Sequence, residues 1–159
     1  MRFVNIRHKM IELDAIKFKT KLPKKAKIMA LDLGRKKIGI ATTDEDRIFA
    51  MPKTIVARKS NIIDFNKIIS IMQENNIVAL ICGLPLMADG SYGEMANFAL
   101  RFATNFDAYY SKKNQLNLDI LMFDERLSSF SARTVVVDKT QAYDDISASL
   151  ILQDFLSIE

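Results

Sequence analysis

The chain has 159 residues, 49% of them hydrophobic and 26% charged, a net charge of +4, one cysteine and one histidine. One cysteine excludes a disulfide framework and a thiolate zinc cluster, and one histidine disfavours His-ligated zinc centres and His-based catalytic triads. The length predicts a single domain that buries roughly 70% of the surface of its unfolded chain. Because the sequence shows no signal peptide and no run of about 18 apolar residues, we expect a cytoplasmic protein without a membrane partner.

The positive charge is concentrated at the start of the chain. Residues 1–27 carry nine Lys and Arg against two acids, or +7, whereas residues 28–159 carry 14 against 17, or −3. We therefore predict a domain over residues 28–159 preceded by a basic extension over residues 1–27. The extension is either solvated and partly disordered or a functional arm that contacts phosphates. The acidic domain can attract nucleic acid only through a local patch, the extension or bound metal ions.

The first part of the domain has the pattern of three antiparallel strands. Strand-like runs at residues 28–31, 37–42 and 48–56 are joined by a basic, glycine-bearing turn and by a polar turn. Pro52 in the third run favours an edge strand or a bulge. Short turns between consecutive strands predict an antiparallel meander.

Helices and strands alternate in the rest of the chain. Asn61 is the predicted N-cap of a helix that ends before Asn75. The patterns that follow predict a buried strand at 77–82, a helix at 94–110, a buried strand at 118–123, and helices at 129–137 and 144–156. This order predicts one α/β domain around a mixed sheet. Neither a phosphate-binding loop nor a dinucleotide fingerprint is present, so no nucleotide cofactor is expected.

Carboxylates lie at the ends of three predicted elements. Asp32 ends the first strand, Asp124 and Glu125 follow the last strand, and Asp144 and Asp145 open the final helix. Strand ends of an α/β sheet meet at one edge, so these side chains can converge there. Converging carboxylates repel one another unless they bind a proton or a cation, and two Mg²⁺ or Mn²⁺ ions about 4 Å apart can clamp the reacting oxygens of a phosphodiester. The pattern predicts a metal-dependent phosphoryl-transfer site.

Each acid also has an ordinary structural explanation. Asp32 could cap a turn, and Asp124-Glu125 could pair with Arg126 at the surface. Asp144-Asp145 could complement the dipole of the final helix. Asp89 is a weaker fourth carboxylate, since an acid before glycine commonly opens a turn.

Four blocks of the sequence resemble the YqgF family and follow the order of the family's motifs. They are Asp32-Leu33-Gly34-Arg35-Lys36-Lys37-Ile38-Gly39-Ile40-Ala41, Gly83-Leu84-Pro85-Leu86 with Asp89-Gly90, Asp124-Glu125-Arg126-Leu127-Ser128, and Asp144 with Ala148 and Leu150-Ile151-Leu152-Gln153. The resemblance covers residues 28–156. The family is described both as Holliday-junction resolvases and as nucleases that mature the 5′ end of pre-16S ribosomal RNA.

The resemblance implies an α/β, RNase H-like fold, with a five-stranded mixed sheet of order 3-2-1-4-5 and helices on both faces. It implies catalytic carboxylates at Asp32, Glu125, with Asp124 beside it, and Asp144. Asp32, Glu125 and Asp144 would be the ligands of Mg²⁺ or Mn²⁺, as two ions. In that strand order the ends at Asp32 and Asp124 lie two strands apart, roughly 10 Å. The strand between them ends at Gly83, and we expect its missing side chain to leave an open gap for metal ions and phosphate.

Three cations near these blocks are candidate phosphate contacts: Arg35, Lys36 and Arg126. Gly34 is expected to shape the turn that carries the first two. Arg35 departs from the family, which commonly has a small hydroxyl residue there, and the loop before Asp144 is shortened to residues 139–143.

The leading interpretation is a metal-dependent endonuclease that acts on structured RNA, a ribosomal precursor, and serves ribosome biogenesis. The first alternative is a Holliday-junction resolvase acting on branched DNA, which requires a homodimer to cut two strands symmetrically. The second is a catalytically weak module that binds nucleic acid or ribosomal precursor particles during assembly. Monomer and homodimer both remain open.

Overall fold

The computed structural model describes the backbone of residues 11–127 and 142–159, and the side chains of residues 11–126 and 146–159. The strands in this part are β1 (Ile11–Glu12), β2 (Lys27–Leu33), β3 (Lys37–Thr43), β4 (Ala50–Ala57), β5 (Ile77–Leu84) and β6 (Asp119–Asp124). The helices are α1 (Ala15–Lys21), α2 (Asn61–Glu74), α3 (Glu94–Asn114) and α4 (Ala142–Leu156). A short 3-10 turn, Glu125–Leu127, follows β6.

The strands form one mixed sheet in the order β1-β6-β5-β2-β3-β4. Strands β2, β3 and β4 make the predicted antiparallel meander, while β5 runs parallel to both β2 and β6. The predicted order of the five domain strands is confirmed. The sheet has six strands rather than five because β1 pairs in parallel with the outer edge of β6. A strand of two residues is too short to show alternation in the sequence.

Apolar side chains cover both faces of the sheet, as predicted. On one face α2 and α3 pack together, with Phe65 against Phe102 and Phe106 at 5.2 and 5.3 Å between ring centroids. On the other face α1 packs against β6 and α4 packs mainly against β2, β3 and β4, and Phe123 meets Phe155. The central strand β2 is buried on both faces because its neighbours and both helical layers exclude water from it.

Part of the basic extension belongs to this second layer. Phe18 of α1 is buried and stands edge-on to Phe155, with 5.8 Å between ring centroids. The Lys19 ammonium donates to the carbonyl of Leu156 at 3.3 Å, in the last turn of α4. Free carbonyls and the helix dipole both favour a cation at that position. Residues 11–27 are therefore packed onto the domain.

Most element boundaries agree with the sequence pattern to within a few residues. The N-cap of α2 is Ser60, which accepts a hydrogen bond from the Ile63 amide, so the predicted cap at Asn61 is wrong by one residue. Pro52 lies in the edge strand β4 beside a register shift, which confirms its predicted setting. The helix predicted at 129–137 lies outside the described residues. Among the described helices, none is both long and apolar enough to cross a bilayer.

Candidate active site

The structure brings Asp32 and Glu125 together at the edge of the sheet where β2, β5 and β6 end. One step beyond the Leu31–Cys82 pair, the register of the parallel strands places Asp32 beside Gly83. Gly83 in turn pairs with Phe123 of β6. Glu125 lies in the 3-10 turn that follows β6, and its carboxylate comes over Gly83, the neighbour of Asp32. The two carboxylates thus face each other across β5.

The Glu125 carboxylate fills the space over Gly83. A β-carbon added at Gly83 would lie 2.2 Å from Glu125 Oε1 and 2.9 Å from Ile151 Cδ1. The gap expected at this glycine is therefore occupied by a candidate ligand rather than left open. Gly83 is required because any side chain on it would displace the carboxylate that reaches toward Asp32.

Glu125 is the carboxyl whose protonation is most altered in this site. Burial raises its pKa to about 7, and the negative charges of Asp32 and Asp124 act in the same direction. An ordinary surface glutamate would be fully ionised at neutral pH. The site thus has a strong electrostatic preference for a proton or a cation beside Glu125.

Asp32 is oriented by the second helical layer. The buried Ser147 hydroxyl of α4 donates to Asp32 Oδ2 at 2.6 Å. Asp144 lies one helical turn before Ser147, at the start of α4, and its side chain is outside the described side chains, as is that of Asp145. Sequence reasoning missed Ser147, although its spacing of three residues from Asp144 on one helix could have indicated it.

Asp124 has a different partner from Glu125. Its Oδ2 accepts a hydrogen bond of 2.8 Å from Arg126 Nη2, and its Oδ1 accepts one of 2.9 Å from the Arg126 amide. The side-chain hydrogen bond from Arg126 is the main cause of the lowered pKa of Asp124. Asp124 is engaged with Arg126 in this arrangement, and Glu125 is the acid directed over Gly83.

The Asp89-Gly90 turn borders the Arg126 side chain. A β-carbon added at Gly90 would lie 3.1 Å from Arg126 Nη1. The Asp89 carboxylate accepts hydrogen bonds from the Ser91 amide and hydroxyl, at 2.9 and 2.6 Å. Asp89 therefore closes its own turn, which is the ordinary role expected for it.

A cationic turn lies on the other side of Asp32. Gly34, in the β2–β3 turn (residues 34–36), donates to the Lys37 carbonyl at 2.9 Å. A β-carbon at Gly34 would lie 2.7 Å from that carbonyl oxygen, so the turn requires glycine. A cleft of about 460 Å³ adjoins this turn; its lining residues are Asp32, Gly34, Arg35, Lys36, Lys37, Gly39 and Ile55.

The candidate phosphate contacts differ in how they are held. Arg35 forms an ion pair with Glu94 at the start of α3 and lies over the Phe98 ring, 5.5 Å from its centroid. Lys36 is exposed at the cleft. Arg126 is bound to Asp124, as described above. Of the three, Lys36 is the cation presented most directly to a ligand in the cleft.

Several cations of the extension are engaged within the protein. Ion pairs join Lys17 and Lys21 to Glu12, and Lys25 to Asp46. Arg2, Arg7 and Lys9 lie outside the described residues. Among the described residues, the extension therefore offers fewer cations to a phosphate backbone than its charge suggests.

The described residues contain no group of three Asp, Glu, His or Cys side chains placed to hold a metal ion. Asp32 and Glu125, two of the three predicted ligands, lie together at this edge of the sheet. The third predicted ligand is Asp144, whose side chain is outside the described side chains.

A mixed sheet with helices on both faces and acids at the ends of β2 and β6 defines the RNase H-like class of proteins. The structure of T. thermophilus RuvC in complex with a Holliday junction substrate has this fold: its TM-score is 0.53 at 7% identity, with 81% of this chain and 93% of that chain covered. The RuvX family model, described as Holliday junction resolvase, matches residues 26–158. The chain belongs to this family, which is the YqgF family predicted from the sequence.

Two relatives match most of the chain. A Bartonella henselae protein named "Putative pre-16S rRNA nuclease" is 32% identical over 164 residues, covering 99% of this chain and 94% of the relative. An Ehrlichia chaffeensis protein of the same name is 34% identical over 144 residues, covering 86% and 88%. The family and these relatives confirm the predicted class of enzyme, a nuclease that hydrolyses phosphodiester bonds.

Proposed function

We propose that the protein is a metal-dependent endonuclease that cleaves structured RNA and processes the 5′ end of pre-16S ribosomal RNA in the cytoplasm. The observation that carries this proposal is the approach of the Glu125 carboxylate to Asp32 over Gly83. The names of the relatives support the choice of substrate. Ribosomal precursor particles are the proposed partners.

The donor atoms of this site fit Mg²⁺ or Mn²⁺. Both ions prefer carboxylate oxygens, and the mutual repulsion of Asp32 and Glu125 favours a bound cation. Asp32, Glu125 and Asp144 would hold the metal, as two ions. When bound, such ions promote deprotonation of the attacking water and stabilise the charge on the leaving oxygen.

Neighbouring residues of the chain position this chemistry. The Ser147 hydroxyl fixes the orientation of the Asp32 carboxylate, and Gly83 leaves the room that Glu125 needs. Lys36, Arg35 and Arg126 are the proposed contacts to the phosphates that flank the cleaved bond. Arg126 also holds Asp124 in place. The substrate backbone would enter along the cleft beside Asp32.

The nuclease domain in this proposal is residues 28–159, with residues 1–27 as an extension of it. The packing of Phe18 and Lys19 on α4 supports a structural role for residues 11–27. Such a role leaves substrate binding mainly to the cleft.

A resolvase acting on branched DNA is the second candidate, and the description of the matching family favours it. Symmetric cleavage of two strands requires two active sites related by a two-fold axis. This candidate therefore needs a homodimer, whereas cleavage of one RNA strand does not.

The test is cleavage of a labelled 5′ precursor of small-subunit ribosomal RNA and of a synthetic four-way DNA junction, each with Mg²⁺, Mn²⁺ or EDTA. The proposal predicts a metal-dependent cut in the RNA and none with EDTA. Cleavage of the junction alone would establish the resolvase instead. RNA that is bound but not cut with either metal would identify a binding module.

A further inference from the structure

An ion pair between the largely buried Arg58 and the buried Asp64 lies behind the cationic β2–β3 turn. Arg58, which follows β4, donates from Nε to Asp64 Oδ2 at 2.9 Å, and the two side chains are 14% and 1% exposed. The second oxygen of Asp64 accepts a hydrogen bond of 3.0 Å from the Lys59 amide. Asp64 lies in the first turn of α2, where the helix dipole stabilises its negative charge. Both partners are thus fixed by several contacts.

The Arg58 guanidinium also contacts the aromatic side chains of α3. It lies 5.4 Å from the Phe98 ring centroid and 5.2 Å from that of Phe102. Arginine stacks on such faces while its planar fork still donates hydrogen bonds at its edge. Contacts to α2 and α3 therefore fix the position of this side chain from two directions.

From this fixed position Arg58 binds the backbone of the turn. Its amide donates to the Lys36 carbonyl at 2.8 Å, and its Nη1 donates to the Gly34 carbonyl at 3.4 Å. The residue between these carbonyls, Arg35, shares the Phe98 ring with Arg58. The Arg58 side chain thus binds the start of the turn that carries Lys36 into the cleft beside Asp32, and the Arg58 amide binds its end.

The cost of burying charge argues for a purpose beyond stability. Apolar residues of similar volume often stabilise a core as well as a buried ion pair does. An arginine fork instead specifies geometry, since its donors point in fixed directions. We propose that Arg58, braced by Asp64, is a positioning residue that holds the β2–β3 turn so that Lys36 contacts a backbone phosphate of the nucleic-acid substrate. This inference rests on the proposed nuclease function.

The test measures binding of labelled precursor RNA in EDTA by fluorescence anisotropy at several salt concentrations. Arg58→Lys keeps the positive charge but loses the planar guanidinium and its fixed donors. We therefore expect the Kd of this variant for RNA to rise about tenfold, the effect of one lost charge-assisted hydrogen bond. The slope of log Kd against log salt should fall by about one, as for Lys36→Met. Lys67→Met, which removes an exposed cation elsewhere on α2, should leave binding unchanged.

A double variant separates positioning from general packing. If Arg58 acts through Lys36, then Arg58→Lys weakens binding in the wild-type background and has no further effect in the Lys36→Met background. Additive losses in the double variant, or wild-type binding by Arg58→Lys despite a lower Tm, would overturn the inference. Asp64→Asn should reproduce the binding loss and replaces Arg58→Lys if that variant does not fold. Failure of both to fold would mark the pair as a folding element and also overturn the inference.

The outcome is distinguishable from failure of the proposed function. If wild-type protein neither binds nor cleaves RNA, the proposed function fails and this inference fails with it. If wild type cleaves RNA and Arg58→Lys binds as tightly as wild type, only the role of Arg58 is refuted.

Discussion

At the scale of single residues, Glu125 couples folding to pH. Its pKa is raised from 4.5 to about 7 in the folded protein, so the folded state binds more protons than the unfolded state between those values. The stability that protonated Glu125 contributes is therefore fully present below pH 4.5 and is lost as the pH rises through about 7. Glu125→Gln removes this ionisation. In EDTA, we expect its free energy of unfolding relative to wild type to improve by about 3 kcal/mol between pH 4.5 and pH 8.

Urea denaturation of both proteins at the two pH values measures this difference, since contributions from other carboxylates cancel between them. A constant difference between the two proteins at both pH values would show that Glu125 titrates normally. Added Mg²⁺ or Mn²⁺ at pH 8 should stabilise wild type more than Glu125→Gln, which is a readout of the proposed metal site that needs no substrate.

Gly83 provides a second test at this scale. Its added β-carbon would meet the ends of two flexible side chains, Glu125 and Ile151, rather than backbone. Gly83→Ala should therefore fold, with a Tm close to that of wild type, and lose RNA cleavage at least about 100-fold because Glu125 is displaced. Gly93→Ala is the matched control, since its β-carbon would meet only the flexible end of Met87. Full activity of Gly83→Ala would refute the placement of Glu125.

The hydroxyl of Ser147 is expected to tune the affinity of the site for metal. It donates to Asp32, a proposed ligand, and partners of ligands commonly change metal affinity 10- to 100-fold. Ser147→Ala should raise the metal concentration for half-maximal cleavage about tenfold. Ser149→Ala on the same helix, whose hydroxyl binds the Ile146 carbonyl, should leave that concentration unchanged. Equal effects of the two variants would mean that α4 is simply perturbed.

Sequence reasoning reached part of this residue-level description. Asp32 and the Asp124-Glu125 pair could be singled out because acids at strand ends meet at one edge of the sheet, and the resemblance to the family favoured Glu125 of that pair. The filling of the Gly83 gap could not, because it depends on the side-chain direction of Glu125 after β6 ends. The setting of Arg58 could not be predicted either, because its burial depends on α2 and α3 together.

At the scale of elements, the extension supports α4. Phe18 is 1% exposed and packs on Phe155, near the C-terminal end of the helix that carries Ser147. Phe18→Ala should lower the free energy of unfolding by about 3 kcal/mol, as for other buried aromatic truncations. Phe49→Ala is the control, since Phe49 is 65% exposed and its truncation should change stability by less than about 0.5 kcal/mol. Equal, small effects in chemical denaturation would show that α1 contributes nothing to the fold.

Elements with a clear period were predictable and those without one were not. The meander follows from alternation and short turns, whereas the order of the five domain strands was implied by the resemblance to the family. The β1 strand and the α1 helix are short and lie among lysines. The sequence therefore predicted only a basic extension there. Both elements are held in place by contacts with β6 and α4, which are distant from them in sequence.

At the scale of the whole molecule, the fold concentrates unlike charges at one edge of the sheet. Asp32 and Glu125 meet there, with Lys36 on one side and Arg126 on the other. The net charge of the domain predicts none of this, because it is a sum over residues that the fold places far apart. The proposed pairing of acids for metal with cations for phosphate suits a nuclease of this family.

The most direct measurement is single-turnover cleavage of the labelled 5′ precursor with Mg²⁺ or Mn²⁺ by wild type, Asp32→Asn and Asp46→Asn. Asp46→Asn is the matched control, because it makes the same chemical change away from the site. Asp46 lies beyond the end of β3 that is far from Asp32, in an exposed ion pair with Lys25. The proposed site predicts that Asp32→Asn cleaves at least about 100-fold more slowly while Asp46→Asn cleaves at the wild-type rate. Metal-dependent cleavage by Asp32→Asn at the wild-type rate would contradict the assignment of this edge of the sheet as the active site.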